Sequence, residues 1–401
     1  IGGGPYTTNV EEFNGSTWSL QSNIPTASDA QSRYGITTAA VAAGGGPRPA
    51  IGTKVFQGDG TTWTATPEMG SPRSSLAGSG TTTAAVIGGA SPFLSNTEEY
   101  NVGATVVVPG AWASGGTMNT ARTLGGSALP SQSAGIIFGG SPYTGATEQY
   151  NGSSWTTVPG TLNTARGYNS GFGTETAAAC AGGDNDTLPS GTSGMAEVEE
   201  YNGTSWSEET NLPGNRKNCG NCGTLTAGLL MGGATQQPFA PNVTDTTFEY
   251  DGTNWTSGNT MPGARGQGMS GGTQTAAFYA GGRTAHAYVA TTVEYDGTNW
   301  TAGGDLAFGA GPPSGFQGSI GTLTAGLAAS GLTAGNFVNI YDGTSWFTSP
   351  AYTTYRNRGF SGGTQTAALI AGGATPGPKS DLTEEFTGAT TAANVQTITT
   401  S

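Results

Sequence analysis

What this sequence has little of narrows it first. Charged residues make up only 10% of its 401 positions, with 13 Lys and Arg against 26 Asp and Glu, for a net charge of -13. Binding to a phosphate backbone relies on clustered cations, so nucleic acid is excluded as a partner. There is a single histidine, His286, which rules out an imidazole metal cage and leaves no Ser-His-Asp set that does not use that one residue. Of three cysteines, Cys219 and Cys222 form a CxxC in "NCGNCGTLTAG". A zinc site needs a second pair or nearby histidines, so these are expected to be small buried residues, with a local disulfide as the alternative. No apolar run approaches the roughly 18 to 20 residues of a membrane-spanning helix and no basic leader precedes an apolar stretch, which predicts no membrane insertion. No cofactor is expected. The chain opens inside a repeat at "IGGGPYTTNVEEF" without a Met and reads as a processed chain or a piece of a longer polypeptide.

What is present is repetition. The eight tryptophans, Trp18, Trp63, Trp112, Trp155, Trp206, Trp255, Trp300 and Trp346, are separated by 45, 49, 43, 51, 49, 45 and 46 residues. Glycine, at 70 residues, and the abundant Thr and Asn-Gly oppose helix interiors, and no long apolar pattern of period 3.6 occurs, so the repeat is all-β. One unit reads as a strand in "MPGARGQGMSGG", a second in "TQTAAFYAGG" ending in a glycine pair, and two more around a hairpin in "TTVEYDGTNWT". In six units an aromatic residue (Phe13, Tyr150, Tyr201, Tyr250, Tyr295 or Tyr341) is followed by Asn-Gly or Asp-Gly, with Trp five positions on. That spacing predicts a two-residue type I′ turn. The rings flanking it are expected to cover the small-residue second strand of a neighbouring sheet. Asn14, Asn151 and Asn202 lie in glycosylation sequons that the hairpin already explains.

Four strands per unit and eight units predict a β-propeller. The order of elements, an Arg after a Pro-containing loop, a Gly-Gly pair, Glu-x-Tyr-Asp and a distant Trp, resembles the kelch repeat over essentially the whole chain. The resemblance implies a kelch-like propeller of four-stranded blades, eight favoured over seven. It would span residues 1–386 as one domain, with one blade stitched from both termini and residues 387–401 as a tail outside the ring. Phrases such as "EYDGTNWT" and "GTQTAA" are similar to kelch-like virion proteins of marine tailed bacteriophages. That similarity implies a non-enzymatic tail or head fibre component, in the virion or extracellular. Its partners would be other virion proteins and a host-surface glycan or protein receptor, and it would be a homo-oligomer. The other class of reading is a secreted, polysaccharide-active propeller enzyme, sialidase- or lyase-like.

Candidate chemistry is sparse. Arg33, Arg73, Arg122, Arg166, Arg216, Arg265 and Arg358 are taken as equivalent positions, expected to pair with the repeated Glu12, Glu99, Glu200, Glu249 and Glu294. A three-arginine carboxylate clamp carries less weight, because "DGTNW" is one residue short of the sialidase Asp-box. A galactose-oxidase-like copper site needs more imidazole than His286 provides. Adjacent carboxylates such as Glu199 and Glu200 face opposite sides of a strand and do not converge as a catalytic pair. "DNDT" at 184–187 reads as an Asx-rich turn before a calcium loop. No catalytic or metal residue is assigned. The stretch between Gly-Gly and the next repeat aromatic varies from 10 residues (Gly140 to Tyr150) to 18 (Gly183 to Tyr201), and variable loops on a rigid scaffold are where binding usually sits. The candidate ligand contacts on that face are Tyr6, Phe93, Tyr143, Phe239, His286 and Tyr288.

Overall fold

A computed structural model describes residues 7–398, apart from 30, 47–51, 67, 83, 90–96, 186–193, 237–238, 240, 308–316, 333–334 and 376–377. No helix occurs among the described residues, and eight sheets reach four strands or more. The chain divides into two compact units, one of residues 1–108 with 390–401 and the other Pro109–Ala389.

The second unit is six sheets. Blade 1 is Gly126–Ser131, Ala134–Phe138, Thr147–Tyr150 and Trp155–Val158, and blade 2 is Ser170–Thr174, Ala177–Ala181, Val198–Tyr201 and Trp206–Glu209. Blade 3 is Gly220–Thr224, Ala227–Met231, Thr247–Tyr250 and Trp255–Gly258. Blade 4 is Met269–Thr273, Ala276–Ala280, Thr292–Tyr295 and Trp300–Ala302. Blade 5 is Gly321–Thr322, Ala325–Leu332, Gly335–Tyr341 and Trp346–Ser349. Blade 6 takes Phe360–Thr364, Ala367–Ala371 and Thr383–Thr387 from late in the chain and its outer strand, Ala111–Ser114, from before blade 1. The short Gln317–Gly318 runs parallel along its inner edge.

These six sheets close on one another. Six apolar clusters join blade 6 to 1, 1 to 2, 2 to 3, 3 to 4, 4 to 5 and 5 back to 6. An open row of six sheets would have only five such interfaces. The seals share a plan: second-strand residues of one blade, such as Ala179 and Ala181, lie under the third-strand aromatic and the Trp of the next, here Tyr250 and Trp255, with Phe386 in place of Tyr where blade 5 meets blade 6. The two rings are cross-strand partners and stack 4.6 Å apart.

The expected stitching of Trp18's strand to the C-terminal strands is not formed. Trp18–Gln21 pairs with Val10–Phe13 alone, while the C-terminal sheet receives Trp112's strand. The reason lies in spacing: Tyr100 and Trp112 are twelve residues apart instead of five, so no tight hairpin joins their strands and each recruits a C-terminal partner. Thr97–Val108 pairs with Thr390–Ile398, so most of the segment expected as a free tail is the fourth strand of a sheet whose others are Ala77–Gly80 and Ala84–Gly88. The first unit also holds the sheet Ser32–Ile36, Ala39–Ala43, Val55–Gly58 and Trp63–Thr66.

The hairpin differs from the expected type I′ turn. Tyr250 and Trp255 pair across four residues, and only Gly252 has positive φ, at 95°. The Asp251 carboxylate accepts the backbone N–H of Thr253 and of Asn254 at 2.8 and 2.7 Å, an Asx turn, and these bonds hold its pKa below the ordinary carboxylate value. Asp296 and Asp342 do the same. The Asp-box likeness is therefore accounted for by a turn.

Candidate binding face of the six-bladed unit

The recurring arginine is a support for the loop face. Arg122, Arg166 and Arg356 are fully buried and reach Glu148, Glu199 and Glu384 at 2.7, 2.5 and 3.6 Å. In the first unit Arg73 meets Glu98 at 2.7 Å. The acceptor is thus the carboxylate two residues before the repeat aromatic, not the one immediately before it as expected, and in blade 1 that second position is Gln149. Arg358 and Arg33 were misplaced by the spacing. Arg356 occupies the equivalent position near the C-terminus, and Arg33 lies inside a strand and is exposed. Where Phe248 replaces the glutamate, Arg216 stacks on its ring at 4.8 Å. Where Val293 does, Arg265 lies over Tyr279 at 5.5 Å and bonds the Thr291 carbonyl.

The second glutamate seals the blades. Glu385, Glu200, Glu249 and Glu294 accept the phenol O–H of Tyr150, Tyr250, Tyr295 and Tyr341 on the next blade. Burial is the main cause of the raised pKa of these phenols, with the carboxylate second, and Tyr150 reaches about 12. At the blade 5 to 6 junction the pair is Ile340 and Phe386 in one apolar cluster. Donor and acceptor are lost together there, which leaves no buried polar group alone.

Above this frame the chain makes a belt. The second strand ends at Gly182-Gly183, with φ 62° and 117°, where a Cβ on Gly182 would fall 2.4 Å from the Arg216 carbonyl. Freed to turn, the following residue bridges to the one after each arginine: Ser141 with Thr123, Asp184 with Gly167, Ala234 with Lys217, Arg283 with Gly266 and Ala374 with Asn357. One position further on, Leu124, Tyr168, Asn218, Gln267 and Arg358 all take positive φ, from 55° to 61°. The Leu124 N–H donates to Arg358 O, Tyr168 to Leu124 O, Asn218 to Tyr168 O and Gln267 to Asn218 O. Neighbouring blades are thereby linked by backbone at the end where the variable loops emerge. Non-glycine residues rarely adopt this conformation, and such strain concentrates at functional positions. The backbone is constant at these five positions while the side chain differs at each.

Two groups of side chains converge on this belt. Tyr143 and Tyr168 lie 6.3 Å apart, and Lys217, buried and paired with Asp184 at 2.8 Å, sits 5.7 Å over the Tyr168 ring. Burial raises the Tyr168 phenol pKa, and the Arg358 charge opposes that shift. In the second group Arg283 lies between two rings, 5.7 Å from Phe239 and 5.6 Å from Tyr288. No carboxylate pairs with Arg283 among the described residues.

Of the residues expected on this face, Tyr143, Phe239 and Tyr288 fall into these groups. Phe239 is buried and orients Arg283 rather than meeting solvent. His286 is exposed at a loop tip whose turn is capped by Thr284. Tyr6 and Phe93 lie outside the described residues. Tyr168, Arg283 and Arg358 were missed as site residues, although Arg358 stood in the list of structural arginines. For Tyr168 and Arg358 the available signal was the position two after the recurring arginine, which changes identity in an otherwise constant frame, whereas Arg283 follows a glycine pair. Asp184 is committed to Lys217, and no cluster of metal-ligating residues forms among those described. The three cysteines are free and buried, with the Cys219 and Cys222 thiols pushed up to about 11 and about 12 by burial.

This architecture defines the chain as a β-propeller protein. A solved structure titled "Structure of YjhT" is similar to it over 69% of this chain and 99% of that chain, with TM-score 0.57 at 15% identity. The likeness is one of fold. The share covered is about that of the six-bladed unit. No family model and no curated protein matches.

Proposed function

We propose that the chain is a non-catalytic binding module of the kelch-like kind carried by tailed-phage virions, held on the particle with other virion proteins in several copies. Its loop face contacts a host-surface glycan or protein. The observation that carries this reading is the belt: one strained backbone conformation bears five different side chains, of which Tyr168, Gln267 and Arg358 are partly exposed while Leu124 and Asn218 are buried. Ordered aromatic residues and a guanidinium fixed between rings add contact area at low entropic cost. The frame beneath is rigid, because its carboxylates are engaged by buried arginines and by neighbouring tyrosines.

The test is host-cell and glycan-array binding by the intact chain, a loop variant lacking 284–289, and Arg283→Ala with Tyr288→Ala. Binding at least about tenfold weaker in each, with an unchanged unfolding curve, is the expected result. Undiminished binding by all three would remove this face from consideration. Turnover of a polysaccharide by the chain, abolished by one Asp or Glu substitution, would replace the reading with an enzymatic one.

A further inference from the structure

The cations of Pro109–Ala389 divide into two sets. Arg122, Arg166, Arg216, Lys217, Arg265 and Arg356 are buried, each against a carboxylate, a ring or a carbonyl. Arg283, Arg358 and Lys379 are partly exposed, and no carboxylate pairs with any of them among the described residues. These three belong to no recurring pattern, since the belt positions equivalent to Arg358 are Leu124, Tyr168, Asn218 and Gln267. All three stand at the end of the blades where the variable loops emerge. Arg283 bridges to Gly266 and Tyr288, and Lys379 bridges to Ala374, which bridges in turn to Asn357 beside Arg358. The opposite end has the reverse sign: its hairpin turns expose Asp251, Asp296 and Asp342 and contain no Lys or Arg. Two polar atoms of the belt, Arg358 Nε and Gln267 Oε1, are buried with no hydrogen-bond partner among the described residues, which costs stability unless something else supplies the bond.

We infer that the loop face takes an acidic polysaccharide, whose carboxylate or sulfate groups are bound by Arg283, Arg358 and Lys379. The inference rests on the binding role proposed above and names the chemistry of the ligand. A guanidinium offers paired N–H donors that match the oxygens of either anion. Arg283, between Phe239 and Tyr288 at 5.7 and 5.6 Å, is held ready to use them. Cations on three separate segments suit a charge repeated along a chain better than one compact anion. The partly exposed rings of Tyr143, Tyr168 and Tyr288 offer apolar faces to the sugar between those charges. The molecule as a whole is acidic, with net charge -13, so attraction for a polyanion is confined to the surroundings of these cations, within a Debye length of about 8 Å at physiological salt. The turn end repels it, and the loop end is the side from which it approaches.

The experiment measures binding of the intact chain to immobilised polygalacturonate, its methyl ester, dextran sulfate and dextran. Binding to polygalacturonate or dextran sulfate is expected, with none to the methyl ester or to dextran, and the preference between the first two tells carboxylate from sulfate. Affinity should fall at least about tenfold between about 50 and about 200 mM salt. Arg283→Gln, Arg358→Gln and Lys379→Gln should each weaken binding at least about threefold with unchanged unfolding curves, whereas Lys54→Gln, in the other unit, should leave it unaltered. Arg283→Lys should recover part of the loss, because the charge is kept and the paired donors are not. The inference is overturned, and the binding role kept, if host cells or neutral dextran are bound, the variant lacking 284–289 loses that binding, and the three Gln variants do not. Both fall if the chain binds neither host cells nor any glycan. Polyglutamate bound as tightly as either acidic polysaccharide would overturn the choice of a saccharide in favour of an acidic protein segment.

Discussion

At the scale of single residues, the blades are held in register by paired substitutions within one chain. Tyr341 donates to Glu294 between blades 4 and 5, and Phe386 faces Ile340 between blades 5 and 6. Replacing Glu294 by Gln should destabilise the fold by roughly 1–3 kcal/mol, because a charge-assisted bond at a buried phenol is weakened. Much of that loss should vanish in the Tyr341→Phe background, as a double-mutant cycle in urea unfolding would report. Breaking the buried Arg166 and Glu199 pair by Glu199→Ala should cost more, roughly 3–5 kcal/mol, since a guanidinium is left uncompensated. The tyrosines also set a pH limit. Their pKa values are raised in the fold, Tyr150 to about 12, against about 10 in an unfolded chain. The unfolded state therefore releases protons first. Stability is full below about pH 10 and falls as pH rises toward 12. Tyr150→Phe should flatten that decline in melts recorded across this range.

At the scale of elements, each outer strand is tied to the preceding blade by its indole. Trp155, Trp206, Trp300 and Trp346 donate from Nε1 to the hydroxyls of Thr383, Thr147, Thr247 and Thr292, which open the third strand next door. Where that position is Val198 or Val338, Trp255 and Trp112 donate to the carbonyls of Thr210 and Pro350 instead. The bond is replaceable, so Thr292→Val should cost no more than about 1 kcal/mol. Trp346→Ala, which empties a buried interface, should cost roughly 3–5 kcal/mol, both measured by denaturant midpoint. Turns, second-strand glycines and aromatic spacing were legible as sequence because they answer to local backbone geometry. The turn type was misread for an equally local reason: the Asp251 side chain takes the N–H groups that a two-residue turn would have left to the strands.

At the scale of the molecule, the closed unit is Pro109–Ala389, sealed by Ala111–Ser114 on Thr383–Thr387. Its six interfaces all lie inside that span. The isolated 109–389 segment should therefore fold and unfold in one cooperative calorimetric transition. Removing residues 109–116 from it should lower its midpoint by several degrees or abolish the transition, because blade 6 then loses its outer strand and Trp112. A segment that melts broadly in both forms would contradict closure.

By itself the sequence determined the β repeat, the propeller class and the four-strand unit, because each rests on patterns within about fifty residues. The two strands around Tyr100 and Trp112 gave no local clue to their partners, and which ends meet was decided by tertiary pairing with Thr383–Thr387 and Thr390–Ile398. The candidate site was half legible for the same reason. Variable loops marked the face, whereas Tyr168, Arg283 and Arg358 gain meaning only once closure brings separate repeats to one belt. Local backbone chemistry is written at each position; the company a side chain keeps is fixed only when distant strands pair.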